Sequence, residues 1–228
     1  MRDIDDMLPY LLPYVPNCAD LTAYRCIREA ARDVCEKADI WREKDTIEIT
    51  DIDGECLSTF GDAEIKKIQA AKLNGVPLTP YSAAWLDENH PGWDGDNQNE
   101  APARFITQIT PGKIMVAPRA TGTLSVRLVL KPSLRAMTLP DFMLEKYATE
   151  IGKGAAGLAL MLPNDDAGPN PAMATALLTE FNQFLDRLAP CLPHPMARSI
   201  CAPPIISASP LRRRWPSRTK RPRSAFPA

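Results

Sequence analysis

The spacing of apolar residues changes period twice along this chain, from helical to alternating and back, and that change limits the possible folds more than any other feature. From Asp20 to Ala38, Leu21, Tyr24, Ile27, Ala31, Val34, Cys35 and Ala38 recur at helical spacing, with arginines and acids between them. The spacing predicts an amphipathic helix, followed by Trp41 as an anchor. Thr123 to Lys131 then alternates, placing Leu124, Val126, Leu128 and Leu130 on one face, and Thr46 to Thr50 is a shorter run of the same kind. Phe105–Ile109 and Lys113–Val116 flank Pro111-Gly112 as the arms of a hairpin would.

Asp62 to Leu73 contains good helix formers and a plausible Asp62 cap, but Asn74-Gly75 directly after it is a strong hairpin signal, so this segment reads as a strand entering that turn. Residues 45–132 are thus expected to hold five or six short strands. Within them, Tyr81 to Glu88 is long enough for two helical turns, and residues 90–102 read as polar loop.

Pro132 ends the alternating block. Thr138-x-x-Asp141 with Pro140 reads as a helix start, and Met143, Tyr147, Ile151, Gly154, Leu158 and Leu162 keep one stripe until Pro163. Asn170 followed by Pro171 is a good cap for a last helix, whose apolar face runs from Ala174 through Leu177, Phe181 and Leu185 to Leu188. These two helices should pair antiparallel. Ile4 to Val15, interrupted by Pro9 and Pro13, reads as a short helix or turn that covers another element.

The expected fold is therefore α+β: a helical bundle of three long helices with an inserted small antiparallel β domain, plus an extended C-terminal tail. Its divisions are 1–44 and 133–188 for the helical parts, 45–132 for the β-rich insertion and 189–228 for the tail. Composition places the last boundary. Residues 1–188 carry all 28 acidic residues against 19 Lys and Arg, a net of −9, whereas residues 189–228 carry eight basic residues, no acid and nine prolines. Such a tail cannot bury enough apolar surface to offset its ordering entropy. A compact acidic body with a cationic tail is a plan more typical of assembly proteins than of enzymes.

The longest apolar stretch, Ala155 to Leu162, is too short to span a bilayer. With Asp3, Asp5 and Asp6 after Arg2, the start lacks the basic opening of a secretion signal, so the protein is expected to be cytosolic when made.

Candidate chemistry is sparse. Cys18, Cys26, Cys35, Cys56, Cys191 and Cys201 form no C-x-x-C pair and have no histidines at ligand spacing, which points to small buried hydrophobes rather than a metal site. Gly152-Lys153-Gly154-Ala155-Ala156-Gly157 matches G-x-G-x-x-G, but a dinucleotide fingerprint needs a strand before it, and here a helix runs through. Gly152, Gly154 and Gly157 are instead candidates for close helix packing or an oligomer contact. His90 lies among carboxylates, yet the calcium-loop pattern fails at Asn99 and the only other histidine is His194, so a solvated loop is the better reading. No G-x-S-x-G or Walker loop occurs. The expectation is no catalysis, no cofactor and no bound metal.

In the tail, Arg212, Arg213, Arg214, Trp215, Arg218, Lys220 and Arg221 are candidate contacts for an acidic protein surface or for nucleic acid.

The order of parts resembles the head-to-tail adaptor, or connector, proteins of tailed bacteriophages. The resemblance rests on an L-P-Y-V-x-x-C start, a helix of R-x-x-R/I-x-x-A-A-R-x-x-C type leading into Trp41-Arg42, a β insertion, and L-P-D-x-x-x-x-x-Y from Leu139 to Tyr147 opening a Gly/Ala-rich helix. It covers about residues 4–188, and it is carried by the order and spacing of these motifs together. It implies a ring, commonly of twelve copies, under the portal protein and leading to a tail nozzle or tube protein. DNA would pass through the bore, there would be no catalysis and no membrane contact, and the protein would reside in the virion neck after assembly in the bacterial cytoplasm. Under it, the acidic body would repel phosphate and let DNA slide. Subunit interfaces would come from the small-residue helix Asp141 to Leu162 and from the β block, since ring closure needs two different complementary surfaces per copy. The long proline-rich ending departs from the family pattern. The alternative from another class is a basic-tailed DNA-binding or packaging accessory protein.

Overall fold

In order along the chain, the elements are β1 (Arg2–Asp3), a 3-10 turn (Ile4–Met7), α1 (Leu8–Leu11), α2 (Asp20–Ala38), β2 (Arg42–Ile49), β3 (Glu55–Leu57), β4 (Ala63–Leu73), β5 (Val76–Pro80), α3 (Ala83–Asn89), β6 (Phe105–Thr110), β7 (Lys113–Ala117), β8 (Gly122–Pro132), β9 (Thr138–Leu139), α4 (Asp141–Met161) and α5 (Pro171–Leu188). This computed structural model describes residues 1–50, 55–57, 60–93, 102–162 and 170–188. Contacts divide the chain into Met1–Pro190 and Cys191–Ala228, and the second unit lies wholly outside the described residues.

The α+β class holds, but the finer architecture needs correction. The described residues hold five α-helices, the long α2, α4 and α5 and the short α1 and α3, and they do not form a bundle standing apart from a small β insert. The sheet has seven strands in the order β2-β8-β4-β5-β6-β7-β3, and it is mixed, because β5 and β6 run parallel. The parallel pair arises because the chain leaves β5 at Pro80 and passes through α3 before returning, a crossover of the length that parallel strands require. One continuous core joins Ile27 and Val34 of α2, Leu128 and Leu130 of β8, and Ile151 of α4. The cause is the breadth of α2's buried face. Ala23, Cys26, Ala30, Ala31 and Cys35 are small, so neighbours approach α2 closely from both the sheet side and the helix side. Each large apolar side chain buried there contributes about 1.5–3 kcal/mol.

Several local expectations hold. The 62–73 segment is the long strand β4, and Asn74 (φ 49°) with Gly75 (φ 86°) makes the positive-φ turn into β5. β6 and β7 form the hairpin about Pro111-Gly112. Trp41 is 2 % exposed. Asn170 caps α5, its side-chain oxygen accepting from the Met173 amide at 3.1 Å. Successive contacts along α4 and α5, Tyr147 with Phe184 and Lys153 with Glu180, run in opposite directions and make the pair antiparallel. Ile4, Met7 and Leu11 are buried, so the N-terminal segment does cover the core.

The helix-start reading at Thr138 is different in detail. Thr138 belongs to β9, and its amide and hydroxyl donate to the Asp62 carboxylate at 3.0 and 2.6 Å, while α4 begins after Pro140 with no side-chain cap.

Candidate assembly surfaces

The C-terminal half of α2 is bolted to the sheet by ion pairs. Arg32 donates to Glu64 at 3.1 Å and to the Pro132 carbonyl at 2.6 Å, and Lys131 reaches Glu36 at 2.8 Å. Asp39 ends the helix in the left-handed region, which short polar side chains tolerate, and its carboxylate accepts from both Lys66 and Lys67 of β4. Burial works against the ionised form of Asp39, yet these lysines hold its carboxyl below the usual range. A hydrogen bond from Lys131 lowers Glu36 likewise.

This rigid joint presents a groove of about 440 Å³ on the outer side of α2, lined by Leu21, Arg25, Arg28, Glu29, Arg32 and Leu134. Leu21 was expected on the apolar stripe facing the core, but it is 80 % exposed, because its helical spacing to Arg25, Arg28 and Arg32 puts it on their outer face, while the buried face runs through Ala23, Cys26, Ile27, Ala30 and Val34. Leu134 is 67 % exposed and Met137, further along the same loop, 52 %. That loop is fixed. Asp62 accepts from the Met137 and Thr138 amides, Ser133 donates to the Asp62 carbonyl at 2.9 Å, and Arg28 donates to the Ala136 carbonyl at 3.4 Å. Large apolar side chains held in water by an ordered backbone, beside arginines, have the make-up of the core of a protein–protein contact. Only Leu21 and the arginines were visible to sequence reasoning as parts of a helix. Leu134 reaches them through a fold contact more than a hundred residues away in sequence, and no local signal marks it.

The three glycines of α4 pack inside the chain. A Cβ on Gly152 would stand 2.7 Å from the Tyr10 carbonyl oxygen, one on Gly154 2.9 Å from the Phe181 ring, and one on Gly157 2.7 Å from Leu178. All three are covered by other parts of this chain, Gly152 by the Tyr10 backbone and Gly154 and Gly157 by side chains of α5, so they serve close packing within the chain. The tail residues Arg212, Arg213, Arg214, Trp215, Arg218, Lys220 and Arg221 lie outside the described residues.

His90 ends α3 and joins a ring cluster in which Tyr81 stacks on Trp85 at 3.8 Å and Phe105 lies 4.8 Å from the imidazole. The cluster fastens α3 to β6. Cys18, Cys26 and Cys35 are buried, and burial pushes the thiols of Cys26 and Cys35 up to about 12. Among the described residues no group of His, Cys, Asp and Glu is arranged to hold a metal ion, and no helix is long and apolar enough to cross a membrane.

Comparison with protein-family models and with curated proteins finds no match to this chain.

Proposed function

We propose that this protein is a structural, non-catalytic subunit of the head-to-tail adaptor ring of a tailed bacteriophage or prophage. In this reading copies of the chain close a ring beneath the portal protein, pass DNA through the bore and hand over to the next tail protein, in the virion neck after assembly in the bacterial cytoplasm. The order of sequence motifs from Ile4 to Leu188 supports it. The observation that carries it is the groove on α2, where Leu21 and Leu134 stand in solvent beside Arg25 and Arg28 on a frame locked by ion pairs. A surface of this kind has little use in a protein that works alone, and it suits one whose work is to be held between partners.

The test is portal capture. The portal protein of the same phage or prophage is mixed with wild-type protein and with the L21D/L134D variant, and co-migration is followed by sedimentation. The reading expects capture of the wild type and loss of at least tenfold in affinity for the variant at unchanged Tm. Failure of the wild type to bind portal would refute it.

The second reading, a basic-tailed DNA-binding or packaging accessory protein, is favoured by the composition of residues 189–228, with eight basic residues and no acid, and would bind DNA through Arg212 to Arg223. It expects DNA affinity without portal capture.

A further inference from the structure

The solvent face of strands β2, β8 and β4 has a chemistry opposite to the groove on α2. Strand register sets Lys44 of β2 directly across from Arg127 of β8, and Arg127 in turn across from Ala70 of β4. One row further, Thr46, Ser125 and Lys72 lie side by side, so Lys72 is diagonal to Arg127. Lys44, Lys72 and Arg127 are all exposed, and together with Ser125 they line a shallow concavity. Like charges directly opposite on neighbouring strands are destabilising. No acid relieves them: among the described residues none of the three makes an ion pair or a side-chain hydrogen bond.

The other charges on this face are engaged or distant. Lys67 pairs with Asp39, Arg42 donates to the Asp39 carbonyl at 3.0 Å, and Glu48 lies two rows from Lys44, opposite Thr123. The concentration of positive charge is notable because residues 1–188 carry a net of −9.

We propose that this strand face binds the phosphate backbone of duplex nucleic acid through Lys44, Lys72 and Arg127, with the Thr46 and Ser125 hydroxyls as further donors and without reading base sequence. Three features choose this occupant over an acidic protein. The face is rich in lysine and poor in large apolar groups, whereas the centres of protein interfaces are depleted in lysine and enriched in aromatics. It is polar and cationic, as nucleic-acid interfaces are. It presents no aromatic ring on which unpaired bases could stack, which favours a duplex over a single strand. The inference rests on the sheet alone and holds whether or not the chain forms a ring.

Fluorescence anisotropy with a labelled 30-base-pair duplex DNA, at salt from 50 to 200 mM, tests it on the full chain. The proteins compared are the wild type, the K44Q/K72Q/R127Q variant and a variant with the basic residues of 212–223 changed to Gln, plus the combination of both sets. Each phosphate contact contributes about 0.9 to the slope of log affinity against log salt. The strand-face variant is expected to lose about 2 to 3 from that slope, and at least tenfold in affinity at 50 mM salt, with the tail intact or neutralised. K44R/K72R should bind as the wild type does, and a scrambled duplex should compete equally.

Equal slopes and affinities for the wild type and K44Q/K72Q/R127Q would overturn the proposal. So would absence of DNA binding once the tail alone is neutralised, or retained DNA binding with lost affinity for polyglutamate, which would make the face a protein contact. Portal capture by K44Q/K72Q/R127Q reads the ring proposal separately, and is expected to be unchanged.

Discussion

At Gly152 the space for a side chain is closed by backbone. A methyl group there would meet the Tyr10 carbonyl carbon and oxygen within 3 Å, and the N-terminal segment that holds Tyr10 is itself anchored by buried Met7 and Leu11. At Gly157 the nearest atoms belong to the Leu178 side chain, which can rotate away. Alanine gains about 1 kcal/mol of helix propensity over glycine, while overpacking of a closed site costs about 1–3 kcal/mol. G152A should therefore lose up to about 2 kcal/mol in urea unfolding, and G157A should stay close to the wild type. The glycine run itself was legible in the sequence as a close-packing signal, because a helix stripe passes through it. What covers each glycine was not legible. Tyr10 comes from a segment whose two prolines hide its period. Leu134 illustrates the same limit, since a fold contact and no local pattern brings it beside α2, whereas the exposure of Leu21 follows from its helical spacing to Arg25, Arg28 and Arg32.

The joint between α2 and β4 is the element-scale feature with a pH signature. The carboxyls of Asp39 and Glu36 lie below their ordinary values of 3.8 and 4.5 because lysines hydrogen-bond their charged forms. The unfolded chain then binds protons more readily than the folded one, so the stability these groups supply is complete above the ordinary carboxyl range and disappears as pH falls through the lowered folded values. D39N should unfold with about 1–2 kcal/mol less stability than the wild type at pH 7, a charge-assisted pair discounted for the exposure of Lys67. The difference should shrink as pH falls below the ordinary carboxyl range and through the lowered folded value, as followed by thermal denaturation. Most strand and helix types were legible from period, and at β4, where period did not decide, the Asn74-Gly75 turn outweighed the helix formers. The direction of β6 was not, because a parallel pair differs from an antiparallel one only in the path of the connection, and hydrophobic alternation carries no record of that path.

At the scale of the whole molecule, α2 is where the expected bundle and the expected insert become one body. Its small residues admit α4 on one side and the β8 sheet on the other, and Arg32, Glu36 and Asp39 tie its outer turns to β4 and β8. The molecule thus carries two outer surfaces of different chemistry on one stiff frame, an apolar and arginine-lined groove and a lysine-rich strand face. The compositional break at residue 189 was plain in the sequence. These two surfaces were not, since each gathers residues from segments that only strand register and loop docking bring together. A part clamped between protein partners around passing DNA would use both surfaces.

Electron microscopy of the full chain mixed with the portal complex of the same phage or prophage tests the central claim most directly. The account predicts an added ring of density beneath the portal, present with the wild type and with K44Q/K72Q/R127Q and absent with L21D/L134D. A portal that stays bare after incubation with the folded wild-type protein would contradict it.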